Sequence, residues 1–448
     1  MARSVDRPNI LFLFTDDQRF DAVGALGNPE VITPNMDRLV EEGMTFTHAT
    51  IQGSVCPAVC QPSRAMLMTG RNLYHAPRDC GDFPTLPQHL REHGYETFGT
   101  GKWHNFPDSY ARSFTSGGKI FYGGMSDHLE VPVFDFDPEG DYPDQERYVG
   151  KDFSSELFSD AAIDFLERYD DDAPFMAYVS YTAPHDPRMA PREYEDLYDP
   201  GRIKVPENFY PVHPFNNGEM VIRDEMLAPF PRTPEIVQEH IAAYYAMITH
   251  LDAHIGRVLE ALEASGRASD TIVVFSSDNG LAVGQHGLMG KQNMYEHSIR
   301  VPLVIRGPGI PENESSDALC YLLDLFPTLC DIIDLPVPET VEGRSLARVI
   351  RGEEERAYEN LFFAYMGCQR ALRDDRWKLV EYFGDADRAT QLFDLSADPR
   401  EMANLASAPG MDEQIAGLRA QLTQWQRRVN DPMADKLTPD EQCGPPAE

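Results

Sequence analysis

Short apolar or β-branched runs recur along the first two thirds of the chain, at residues 9–14, 97–100, 175–181, 271–276 and 301–305, each bounded by Gly, Pro or Asp. Runs of this length without polar alternation read as strands buried on both faces. Between them the apolar positions switch to helical spacing, over residues 34–42, 85–93, 154–169 and 234–264. In the last of these, Ile241, Tyr245, Ile248, Leu251, Ile255, Val258 and Leu262 form one stripe facing a core. Strands alternating with helices predict an α/β fold: a large, mostly parallel β-sheet sandwiched by helices.

Two stretches follow neither period. Residues 105–148 are rich in Gly, Asp and aromatics, and residues 186–232 in Pro, Arg and Glu. Irregular segments this long are expected to serve function or to be disordered. The pattern changes again near residues 343–352, and beyond it come a strand-like run at 377–382, a turn-rich stretch at 394–405 and a helix over 411–429. The expected organisation is a main domain over residues 1–350 and a smaller C-terminal α+β subdomain over 351–448, with a frayed tail at 439–448.

Composition narrows the classes. With 42% hydrophobic and 25% charged residues the chain is ordinary globular material, and no run approaches the roughly 18 apolar residues of a membrane span. A net charge of −34 argues against nucleic acid and anionic membranes as partners. An anionic substrate would need a few basic residues gathered in one pocket. Seven cysteines, at 56, 60, 80, 320, 330, 368 and 443, make no disulfide framework. The apolar run at 10–14 is too short for a secretory signal. The expectation is a cytoplasmic protein, or a periplasmic or secreted one if a signal was removed.

Chemistry-bearing residues cluster at predicted strand ends. Asp16 and Asp17 follow the first strand, and Asp278 and Asn279 follow the strand at 271–276. Either pair alone can be a simple turn. Together they form an all-oxygen set suited to a hard divalent cation at the carboxyl ends of parallel strands. Cys60 precedes Gln61-Pro62-Ser63-Arg64, and Pro62 suits the first turn of a helix. Residue 60 is then either a buried structural cysteine or a group at a helix N-terminus, where an anion or thiolate is favoured. Lys102, His104, His185 and Lys291, with His286, could supply the local positive charge and the proton-moving groups.

Cys60-Gln61-Pro62-Ser63-Arg64 followed by Thr69-Gly70-Arg71 resembles the signature of the type I, formylglycine-dependent sulfatases of the alkaline phosphatase superfamily. The resemblance continues through Gly101 to His104, Ala183 to His185, Asp278 to Gly280, Lys291, Arg300 to Leu303, Asp324 to Thr328, Gly343 to Leu346, Trp377 to Leu379 and Leu392 to Leu395. It implies a sulfuric ester hydrolase in which a formylglycine-generating enzyme has oxidised Cys60 to formylglycine. Asp16, Asp17, Asp278 and Asn279 would hold calcium, with magnesium as the variant. Arg64 and Lys102 would bind the formylglycine hydroxyls, and His185 and Lys291 would contact the sulfate and protonate the leaving group. His104 would deprotonate the second hydroxyl to expel sulfate.

The expected substrate is a sulfated carbohydrate or other sulfated small molecule, met by Arg188, His213, Asn216, Arg232 and His286 from the irregular stretches. Arylsulfatase-like or choline-sulfatase-like activity, phosphonate monoester or phosphodiester hydrolysis on the same scaffold, and a binding protein with an unmodified thiol are the competing readings.

Overall fold

The computed structural model describes residues 7–383 and 388–434; Cys443 and the tail at 439–448 lie outside the described residues. Strand β1 (Asn9–Thr15) lies near the middle of an eight-stranded sheet whose other members are β2 (Met44–Phe46), β3 (Glu96–Lys102), β4 (Ser116–Phe121), β5 (Phe175–Ser180), β6 (Thr271–Ser277), β7 (Leu303–Arg306) and β8 (Glu314–Ser316). The order is β8-β2-β7-β6-β1-β5-β3-β4, and all neighbours are parallel except where β7 meets β6 and β2. The α/β sandwich expected from the alternating pattern is therefore present.

Every residue of β1 is buried, and its alternate side chains enter two different cores. Ile10, Phe12 and Phe14 join one with helix Cys60–Thr69, while Leu11 and Leu13 join the other with helices Ser154–Arg168 and Pro234–Ala264. That double cover is why the run carries no polar alternation. The long helix spans the expected residues, but at its fourth turn Tyr244 is the fully buried ring and Tyr245 is half-buried.

Strand β4 was not legible in the pattern. Its Ser116-Gly117-Gly118 start has no apolar periodicity because the Tyr110 ring fills the space; Tyr110 Oη donates to the Gly99 carbonyl at 2.7 Å, and a Cβ on Gly117 would stand 2.2 Å from that oxygen.

The C-terminal part forms a five-stranded sheet from β9 (Leu361–Tyr365), β10 (Gln369–Arg373), β11 (Trp377–Phe383), β12 (Arg388–Asp394) and the two-residue strand Gly53–Ser54, with helix Asp412–Arg428 packed beside it. Gly53–Ser54 belongs to the segment leading into Cys60 and pairs in parallel with β9. Gly53 has φ +101, and a Cβ there would meet the Ala364 carbonyl oxygen at 2.0 Å, so only glycine admits this approach. The six described cysteines are all free, and among the described residues no helix is long and apolar enough to cross a membrane.

Candidate active site

Four adjacent parallel strands, β6, β1, β5 and β3, point their carboxyl ends at one cleft. Asp16 and Asp17 follow β1, Asp278 and Asn279 follow β6, Lys102 ends β3, and Ser180 ends β5 ahead of His185. Helix Cys60–Thr69 starts over these ends, so Cys60 faces the carboxylates and Arg64, one turn on, reaches beneath them. Nearly all of this is solvent-free: Asp16, Asp278, Asn279, Arg64 and Lys102 have no exposure and Asp17 has 2%.

The buried charges pair closely. Arg64 Nε donates to Asp278 Oδ2 at 2.8 Å, and its Nη1 donates to the Lys102 carbonyl at 2.8 Å and Ser180 Oγ at 2.6 Å. Lys102 Nζ donates to Asp16 Oδ2 and to the Gly124 carbonyl. Lys291 Nζ donates to both oxygens of Asp17, at 2.6 and 2.9 Å, and lies 2.9 Å from Cys60 Sγ. Burial works against charge on Asp16, yet Lys102, His185 and Arg64 hold its carboxyl below the usual range. Asp278 moves the other way, because burial and the neighbouring Asp16 outweigh Arg64.

Burial, Asp16 and Asp278 likewise hold the Cys60 thiol far above its ordinary pKa, against the pull of Lys102 and Lys291. The helix N-terminus does not make a thiolate here, a correction to that expectation. For Lys291, burial opposes the charge, but Asp17, Cys60 and Asp224 keep the ammonium firmly protonated. Burial together with Lys102, Arg64 and Lys291 pushes His104 far below its usual range, leaving a neutral imidazole whose Nδ1 has no partner. His185 donates from Nδ1 to the Asp186 carbonyl at 2.9 Å, which turns Nε2 toward Asp17 Oδ2, 3.6 Å away.

The donor set suits a divalent cation. Asp16, Asp17, Cys60 and His185 each bring a ligand atom within 4.8 Å of the others. Asn279 Oδ1 is buried without a hydrogen-bond partner, while its Nδ2 donates to Asp17 Oδ1 at 2.6 Å. An orphaned amide oxygen beside three buried carboxylates is the kind of acceptor set a hard cation satisfies.

The cleft above Cys60 has a volume of about 220 Å³; Pro57, Ala58, Gly124, Met125, Ile222, Arg223, Asp224 and Gln292 complete a wall begun by Cys60, His104, His185 and Lys291. The residues expected to meet the substrate are not in this wall. Arg232 is buried and donates from Nη2 to Glu225 Oε2 at 2.5 Å. His286 stacks on Tyr295 with centroids 3.9 Å apart. His213 donates from Nδ1 to the Phe215 carbonyl at 2.7 Å, and Asn216 Oδ1 accepts the Gly218 N–H at 3.0 Å within a turn; Arg188 Nη1 lies 2.8 Å from His240 Nδ1, while its Nε and Nη2 are buried without a partner. Residue type alone could not foresee these partners. The wall residues Ile222–Asp224 belong to the stretch 186–232, which the sequence marked only as long and aperiodic.

Comparison with known proteins places this arrangement. The family model described as Sulfatase matches residues 8–335, and that of the N-sulphoglucosamine sulphohydrolase C-terminal region matches residues 284–428. An N-acetylglucosamine-6-O-sulfatase of Bacteroides thetaiotaomicron is 28% identical over 95% of this chain and 88% of its own length. A solved structure in complex with its substrate D-glucosamine-2-N,6-O-disulfate superposes with a TM-score of 0.81 at 25% identity, covering 96% of this chain and 99% of that one. The phosphonate monoester hydrolase of Agrobacterium radiobacter shares the fold, with a TM-score of 0.75 at 24% identity over 94% of this chain and 96% of its own.

Proposed function

Because the chain belongs to the sulfatase family and is a sulfuric ester hydrolase, we propose that it removes sulfate from a sulfated carbohydrate, with the residue derived from Cys60 as nucleophile. The observation that carries this reading is the convergence of Cys60, Arg64, Lys102, His104, His185 and Lys291 on one cleft over buried carboxylates. The relatives that act on glucosamine sulfates support the carbohydrate.

Asp16, Asp17, Asp278 and Asn279 would hold calcium, or magnesium in its place. When bound, the cation supplies Lewis acidity toward the sulfate oxygens and the nucleophilic hydroxyl. Conversion of Cys60 to formylglycine by a formylglycine-generating enzyme supplies a hydrated aldehyde, which offers that hydroxyl and a second one for release of sulfate. Lys102 and Arg64 orient residue 60 and keep its surroundings cationic. Lys291 Nζ and His185 Nε2 contact the sulfate and donate a proton toward the leaving oxygen, and neutral His104 accepts a proton from residue 60.

The test pairs chemistry with mass. The tryptic peptide of residues 39–64 carries Cys60 and, as an internal thiol control, Cys56. The expected result is an aldehyde at residue 60, a thiol at residue 56, and release of inorganic sulfate from N-acetylglucosamine 6-sulfate. Matured protein that cleaves a phosphonate monoester far faster than any sulfate ester would establish the competing reading. Matured protein that binds sulfated glycans without releasing sulfate would make this a binding protein.

A further inference from the structure

Between Ser277 and Glu296 the chain forms no helix and, apart from one isolated bridge of Gln285 with Phe209, no strand pairing fixes the loop that carries Lys291. Backbone bonds fold the loop on itself, Ala282 N–H to the Gly290 carbonyl at 2.9 Å and Gly284 N–H to the Leu288 carbonyl at 2.8 Å, and side chains from another irregular segment fix it from outside. Glu225 Oε2 accepts the Met289 N–H and Oε1 accepts the Gly290 N–H, each at 2.9 Å. On the far side of Lys291, Gln292 Nε2 donates to Asp224 Oδ2 at 2.7 Å. Arg223, the preceding residue, forks onto Asp186 at 2.7 and 2.9 Å, and Asp186 is the residue whose carbonyl orients His185.

Three consecutive charged residues thus reach both flanks of the cleft. Arg232, with no side-chain exposure, anchors them by donating to both the carboxylate and the backbone carbonyl of Glu225. The fit leaves no slack at Gly290, where a Cβ would stand 2.9 Å from Asp224 Cβ and 3.1 Å from Glu225 Oε1.

We propose that Arg223-Asp224-Glu225, tied down by Arg232, is a positioning clasp that sets His185 and Lys291 at their working separation across the cleft. Arg232 and Glu225 act through the loop and touch no substrate. The proposal rests on the reading above in which His185 and Lys291 serve the leaving group.

Its test uses Arg232→Met and the isosteric Glu225→Gln in the full chain, with Arg232→Lys as the conservative rescue. Circular dichroism and formylglycine content serve as controls. Amide exchange at Met289 and Gly290 should accelerate about tenfold in both variants while β6 stays protected, because opening is local. Turnover is read with 4-nitrophenyl sulfate, whose leaving group needs little protonation, and with phenyl sulfate, whose leaving group needs more. The phenyl ester should lose about fivefold more in kcat than the nitrophenyl ester, with KM within about threefold, and Arg232→Lys should recover most of both.

Unchanged exchange at 289 and 290, or equal loss for the two esters, would overturn the clasp. Matured wild-type protein that releases no sulfate from any sulfate ester would instead overturn the underlying function. The clasp would then stand or fall on the exchange result and on inorganic sulfate affinity, expected to weaken about tenfold in Glu225→Gln if the clasp holds.

Discussion

Arg64 is the residue whose loss the structure prices most directly. Its guanidinium is buried, pairs with Asp278, and joins the ends of β3 and β5 through the Lys102 carbonyl and Ser180 Oγ. Arg64→Ala leaves Asp278 without its counter-charge in a solvent-free site, which costs about 3–5 kcal/mol. Unfolding entropy of about 2.1 cal/mol/K per residue gives about 0.9 kcal/mol/K for 448 residues, so the melting temperature should fall by about 4 °C. Arg64→Lys keeps the charge but cannot fork to three acceptors, and should lose about half as much. Turnover should fall at least about a hundredfold in Arg64→Ala, since Asp278 and Lys102 lose their shared support. Thermal unfolding by fluorescence and sulfate release on the same preparation check both numbers. An Arg64→Ala protein that melts within a degree of wild type and turns over normally would refute the assignment of this residue.

Other outcomes follow from the same geometry. Cys60→Ala and Cys60→Ser should fold and melt like the parent while sulfate release disappears, because neither can carry the hydrated aldehyde; residual wild-type turnover would remove Cys60 from the nucleophile role. Chelation of divalent ions should lower the melting temperature by about 3 °C if the cation is present at about a hundred times its dissociation constant, and calcium should restore melting and activity together; indifference to chelation would argue against the cation. Burial, helped by His213 and Lys378, holds His286 down at about 3. The unfolded chain takes that proton below about pH 6.5 while the fold does not, so stability is fully present above pH 6.5 and falls by up to about 1.4 kcal/mol per pH unit toward pH 3. His286→Asn should flatten that acid limb in urea titrations at pH 4 and 7, and an unchanged slope would count against it.

Hydrophobic patterning was informative where burial is symmetric or single-faced. Strand β1 and helix Pro234–Ala264 could be read from residue order because their burial follows the backbone period. Strand β10 could not. Arg370 and Arg373 look solvent-facing, yet both are buried through ion pairs with Asp431 and Glu296, each distant in sequence. The same limit separates the two groups of site residues. Asp16, Asp17, Asp278, Asn279, Cys60, Arg64, Lys102, His104, His185 and Lys291 sit at strand ends, at a helix start or in a motif, positions that short-range order marks. His213 and Arg232 stand out in the sequence only as polar groups in an aperiodic stretch, and His286 only as a neighbour of Lys291, and such signals do not reveal partners such as Tyr295 and Glu225.

The parallel pairing of Gly53 with Ala364 and of Ser54 with Tyr365 has a temporal meaning. The strand that leads into residue 60 gains its sheet partner only after residue 365 has left the ribosome. At about 5–20 residues per second, the intervening chain takes about 15–60 s to synthesise. For that interval the segment leading into residue 60 has no strand to pair with, and the C-terminal sheet can be completed only when chain segments far apart in synthesis meet.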